Sequence, residues 1–93
     1  MHSITYGGVQ YKQVRNALYC KQCKQTIESK HHHDFKMCLC GTIGIDGGPA
    51  AGSRIIGDIK YMEPRSMYSY SINKKVYWLP QEIIEEHFYL NET

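Results

Sequence analysis

Ninety-three residues carry eleven lysines and arginines against nine acids, a net charge of +2, which describes one small domain with no polyelectrolyte character. A chain this short buries only about 60–65% of the surface it would expose unfolded, so a metal, disulfides or self-association must supplement its core. No stretch approaches the roughly 18 apolar residues of a membrane span, and Met1 to Tyr6 lacks the basic run and apolar segment of a secretory signal, so a soluble cytoplasmic chain with reduced thiols is expected.

In chain order, Ile4-Thr5-Tyr6 and Val9 to Val14 flank Gly7-Gly8 and predict a hairpin with a two-glycine turn. Ala17-Leu18-Tyr19 predicts a short strand running into Cys20. Thr26 to Ser29, Asp34 to Met37 and Thr42 to Ile45 predict three more strands around the cysteines. Asp46 to Gly52 is rich in structure breakers and predicts a loop. Arg54 to Tyr61 predicts a strand that Pro64 limits. Met67 to Ile72 and Lys75 to Leu79 predict a second hairpin across Asn73-Lys74. Pro80 opens the one helix, Gln81 to Leu90, with acids in its first turn and an apolar stripe of Ile83, Ile84, His87, Phe88 and Leu90. The expected fold is therefore small α+β and mainly β. Zinc-ribbon-like four-cysteine knuckles sit in an antiparallel sheet with one C-terminal helix. Residues 1–93 form a single domain, with a core over 16–57 and a hairpin and helix over 58–93.

All four cysteines fall within 20–40, as C-x2-C, fourteen residues, then C-x-C. Two close pairs of soft ligands on two tight turns suit one tetrahedral zinc ion, and four protein ligands close the site and make it structural. Cys20, Cys23, Cys38 and Cys40 are the expected ligands of one zinc per chain. Two disulfides, or three cysteines with one of His31, His32 or His33, are the competing arrangements. Residues 1–40 carry a net +4 and residues 61–93 a net −2. Zinc with four thiolates is itself −2, so the lysines beside the cysteines have a local charge to neutralise.

His31-His32-His33-Asp34 admits several readings. An ordinary solvated turn is one. If the segment is extended, His31 and His33 share a face and can bind a second metal or an anion with Asp34 or Asp46. An imidazole donating to a zinc-bound thiolate is another. Asp46-Gly47-Gly48 with Arg54 reads either as a tight turn held by the aspartate or as a backbone nest with an arginine clamp for an anionic ligand. It lacks the residues of a Walker loop or a dinucleotide fingerprint. Tyr61, Tyr68, Tyr70, Tyr77, Trp78 and Tyr89 concentrate late in the chain and suit either a sheet face or an interface.

The ordered series Cys20-x2-Cys23, His31-x-His33-Asp34-Phe35, Cys38-x-Cys40-Gly41, Asp46-Gly47-Gly48 and Arg54 resembles a family of small uncharacterised phage and bacterial zinc-binding proteins. The resemblance implies a compact zinc domain without a settled activity, often phage-encoded. It makes His31, His33, Asp34, Asp46, Gly47, Gly48 and Arg54 part of a shared pattern. This chain departs from it at 49–53, where an aromatic before the basic residue is missing. The expected function is a zinc-stabilised, non-enzymatic binding protein. It would engage a host protein, as an inhibitor of a host defence system does, or sequester an anionic small ligand, with a homo-oligomer as one form. A nucleic-acid-binding zinc ribbon using Lys12, Arg15, Lys21, Lys24, Lys30 and Lys36 is the first alternative. A small metal-dependent hydrolase using His31, His33, Asp34 and Asp46 is the second.

Overall fold

One long strand carries the architecture. The computed structural model describes residues 3–49 and 53–92, with side chains through residue 90. In it β1 (Ser3–Tyr6) turns through Gly7 and Gly8, both at positive φ, into β2 (Val9–Cys20). That is the glycine-turn hairpin read from the sequence. The separate strand expected at 17–19 does not exist, because β2 runs unbroken for 12 residues. Its first half pairs with β1 on one side and β8 (Met67–Ile72) on the other. Its second half pairs with β3 (Thr26–Ser29) and β7 (Met62–Pro64).

The junction between the halves is a bulge. Gln13 faces Tyr68 and Arg15 faces Met67, which leaves Val14 as an extra residue. A bulge places two residues opposite one and restores the phase of the strand. Tyr11 and Gln13 before it therefore share an inner face with Asn16, Leu18 and Cys20 after it. This out-of-phase step hides the continuity of β2 in the sequence.

A smaller sheet is built from β4 (Lys36–Met37), β5 (Ile43–Asp46) and β6 (Arg54–Gly57), all antiparallel. The strand expected over 34–37 is confined to its last two residues. The strand expected over 54–61 stops at Gly57, whose φ of 110° leaves the extended region. Asp58 then accepts a hydrogen bond from the Lys60 N–H and caps a 3-10 turn at Ile59–Tyr61. β8 pairs with β9 (Lys75–Trp78) across Asn73 and Lys74, both at positive φ, as a primed two-residue turn requires. Helix α1 (Gln81–Glu92) follows Pro80. The molecule is thus mostly antiparallel sheet with one C-terminal helix, and no described helix is long and apolar enough to cross a membrane.

Two cores form along β2. Leu18, Cys20, Ile27, Cys38, Ile43, Ile45 and Met62 pack together where the small sheet covers its second half. Ile4, Tyr68, Leu79 and Ile84 pack against its first half. The helix touches both, with Ile84 in one cluster and Phe88 in the other. It is pinned by Gln81 Nε2 donating to the Pro64 carbonyl (2.9 Å) and by the Tyr89 hydroxyl donating to the Met62 carbonyl (2.9 Å). Of the expected apolar stripe, Leu90 alone is turned outward, 73% exposed.

Candidate metal centre

Each pair of cysteines lies at the tip of an antiparallel hairpin. Between β2 and β3, Cys20 N–H donates to the Gln25 carbonyl and Lys24 N–H to the Cys20 carbonyl, both at 2.8 Å. Between β4 and β5, Cys38 N–H donates to the Ile43 carbonyl (3.0 Å) and Gly41 N–H to the Cys38 carbonyl (2.9 Å). The residue after the second cysteine of each pair, Lys24 or Gly41, sits at positive φ, 58° and 72°. That left-handed step folds each tip back so that its sulfurs converge. The side chain of Gln25 ties the tips together by accepting from the Leu39 N–H (2.8 Å).

All four sulfurs lie within 4.8 Å of one another, and all four cysteines are free thiols. Cys38 and Cys40 Sγ are 3.5 Å apart, and Cys20 and Cys40 Sγ are 3.7 Å apart. A tetrahedral ion with about 2.3 Å bonds to sulfur has edges of about 3.8 Å. The donor set fits such an ion, and among the described residues no histidine joins the cluster.

The surroundings treat the thiols unequally. Burial pushes Cys20 up to about 11, although the Cys23 and Gln22 N–H groups oppose it. The Thr42 hydroxyl, 3.0 Å from Cys40 Sγ, and the Thr42 N–H hold exposed Cys40 at about 6. Burial would raise Cys38, yet it ends below the ordinary thiol value because Ile43 N–H donates to its sulfur (3.5 Å). Such N–H and O–H donors stabilise thiolate charge, and a thiolate is the form that binds metal.

The other expected site residues meet at the opposite end of these hairpins from the cysteine tips, where the loop 29–34 packs against 46–48. The Ser29 hydroxyl donates to the Asp34 carbonyl (2.5 Å) and accepts from the Gly48 N–H (2.8 Å). Asp34 accepts from the Lys30 N–H (2.8 Å) and lies 3.4 Å from Lys36 Nζ. Asp46 pairs with Arg54 at 2.6 Å and accepts from the Gly47 N–H (2.8 Å). Lys30 N–H and Arg54, respectively, lead in holding the two carboxyls below the ordinary aspartate value. A Cβ on Gly48 would lie 2.6 Å from the His31 backbone, so glycine permits the two loops to touch. His31 to His33 form a turn rather than an extended segment, closed by Asp34 N–H donating to the His31 carbonyl (3.0 Å). The ring of His33 rests edge-on against His32 at 4.5 Å.

Asn16 and Ser29, buried polar residues not singled out from the sequence, connect these loops to the sheet. Asn16 Nδ2 donates to the Asp46 (3.1 Å) and Gly48 (2.9 Å) carbonyls. The available signal was an asparagine beginning the apolar run Ala17-Leu18-Tyr19. Behind Arg54 a cavity of about 320 Å³ opens between β2, β6 and α1, lined by Gln13, Asn16, Leu18, Ile55 and Phe88 among others. Residues 50–52 of the predicted loop lie outside the described residues, as does most of the 49–53 departure. Of the six cations weighed for nucleic acid, Arg15 pairs with Glu28 (3.4 Å) and Lys36 with Asp34.

A protein-family model described as Domain of unknown function (DUF7695) matches residues 12–56, just under half of the chain. The matched stretch runs from the middle of β2 to β6 and so includes both cysteine pairs. No curated protein and no solved structure matches the chain.

Proposed function

We propose that the protein is a zinc-stabilised, non-catalytic binding module whose partner is another protein. The observation that carries the reading is a closed set of four sulfur ligands, together with loops at the other end of the same hairpins whose charged groups already engage each other. A catalytic zinc keeps a coordination position for substrate, and four cysteines leave none. Asp34, Asp46 and Arg54 hold loops together, so a hydrolytic site would have to sacrifice the structure that positions it. The surface left for recognition is the outer face of the large sheet, where Val14, Met67, Val76 and Trp78 are 39–54% exposed. Aromatic and methionine side chains on an exposed face are characteristic of protein interfaces. The resemblance to phage proteins makes a host protein the partner class to examine.

A photoreactive amino acid at Val14, with a control at Met37 on the small sheet, tests the reading in cells. Cross-links to a second polypeptide from Val14 and not from Met37 support it. Cross-links to nucleic acid, or none from either position, overturn it. The cavity behind Arg54 supports a second reading, an anionic small ligand. That ligand would have to draw Arg54 away from Asp46. Addition of nucleotides would then shift the Arg54 Nε–H and Asn16 side-chain resonances, and absence of such shifts rejects it.

A further inference from the structure

The large sheet ends in an open edge. The order β1-β2-β8-β9 leaves β9 with one neighbour, and all four of its residues are exposed. The phase of its hydrogen bonds follows from the register. Leu79 N–H donates to the Tyr68 carbonyl (2.9 Å), so alternation makes Tyr70–Tyr77 and Ile72–Lys75 the hydrogen-bonded pairs. The N–H and C=O groups of Val76 and Trp78 therefore point away from β8, and none has a partner among the described residues.

Natural sheets protect such an edge with proline, a bulge, an inward charge or a covering element. Over 75–78 there is no proline, no register shift, and one charge at the turn end, Lys75. The outward-bonding residues are instead a valine and a tryptophan, 53% and 54% exposed. The opposite edge, β1, presents short polar Ser3 and Thr5 in the corresponding phase.

We propose that β9 pairs antiparallel with β9 of a second copy of this chain, about a twofold axis through Tyr77. In that register Val76 of each copy faces Trp78 of the other, and each pair exchanges N–H···O bonds in both directions. Every open group of the edge is used. A shift by one residue would put each side chain against the wrong face, and the twofold excludes it. Tyr77 meets its own copy across the axis as a close, non-hydrogen-bonded pair. On the inner face this extends the row in which Tyr11 meets Tyr70 edge-on at 4.9 Å and Tyr70 stacks on Tyr77 at 5.0 Å. On the outer face Trp78 covers the partner's Val76. Lys75 falls opposite Leu79 of the partner, so no like charges are opposed. Pro80 ends the pairing, since it has no N–H to offer. The inference does not depend on the metal, and it leaves Val14 and Met67 of each copy for the partner protein proposed above.

The test is the mass of the zinc-loaded full chain by light scattering, with amide exchange at residues 75–79. The wild type is expected at twice the chain mass of 10.8 kDa, with the Val76 and Trp78 amides slowed. Val76→Pro removes an outward N–H and should give the monomer without disturbing β8. Trp78→Lys should do the same by adding a charge and removing the indole that covers Val76, with the backbone hydrogen-bonding groups kept, and should restore fast exchange at Val76. A wild-type monomer at high micromolar concentration overturns the proposal. So does a dimer that survives both substitutions.

Discussion

The two halves of β2 support regions held together in different ways. Around residues 16–20 a small core is enclosed by hairpins whose tips carry the cysteines, and Cys20 and Cys38 belong both to that core and to the metal cluster. Around residues 9–15 the described residues hold no comparable cluster of metal-ligating side chains. The same strand is held there by two primed-turn hairpins, by tyrosines in a cross-strand row and by one face of α1. A chain too small for one adequate core has distributed its apolar residues on two sites of one strand. It gives the first a four-cysteine cluster able to hold a metal ion and leaves the second to pairing and packing. The bulge at Val14 is what allows one strand to serve both.

Chelation is the sharpest way to break the comparison. Structural zinc contributes on the order of 10 kcal/mol, which matches or exceeds the whole stability of an ordinary small domain. Amide exchange after metal removal should lose protection first at Leu18, Ile27, Ile43 and Ile45, and later at Tyr68 and Tyr70. Simultaneous loss would show one cooperative unit rather than two regions. Next comes Gly48→Ala, which drives a Cβ into the His31 backbone at a positive φ of 63°. It should cost about 2–3 kcal/mol in denaturant unfolding. A neutral result would mean that the loops 29–34 and 46–48 are not packed as described.

Asn16→Ala should cost about 1–3 kcal/mol, because the buried Gly48 carbonyl and the part-buried Asp46 carbonyl lose their donor. Acid sensitivity gives a smaller effect with a definite sign. Asp46 is held below the ordinary value of 3.8 by Arg54, and the Gly47 N–H assists. A carboxyl lowered on folding binds its proton less readily when folded. Its contribution is therefore complete above the unfolded value and is lost as pH falls below about 4 through the folded value. Asp46→Asn should lower stability at pH 6 and lessen its decline from pH 5 to 3, with wild type and variant compared by chemical denaturation. At the bottom of the scale is Leu39→Ser at the second tip, 86% exposed. A change within about 0.5 kcal/mol is expected, and a larger one would reveal cover on Leu39 that the single chain does not show.

How much of this was legible beforehand divides along the same line. Cysteine spacing announced the knuckles because ligand geometry constrains sequence locally. Gly7-Gly8 and Asn73-Lys74 announced the hairpins because primed turns demand positive φ. The continuity of β2 was hidden, since the bulge at Val14 interrupts alternation where two partner strands replace two others. The pattern also could not show that Asp46 would take Arg54, or that Ser29 and Asn16 would occupy the donors and acceptors of the glycine loop. Those bonds join residues 8 to 32 positions apart, and they turn residues with the chemistry of a ligand site into the fastening of two loops. The exposed edge at β9 was invisible for a related reason. Strand order decides which strand is last.

X-ray absorption at the metal edge of the protein as purified, with metal content measured on the same sample, tests the central claim most directly. The account predicts one zinc per chain with four sulfur neighbours at about 2.3 Å. A histidine nitrogen replacing a sulfur, a second metal, or a metal-free chain with its cysteines oxidised would contradict it.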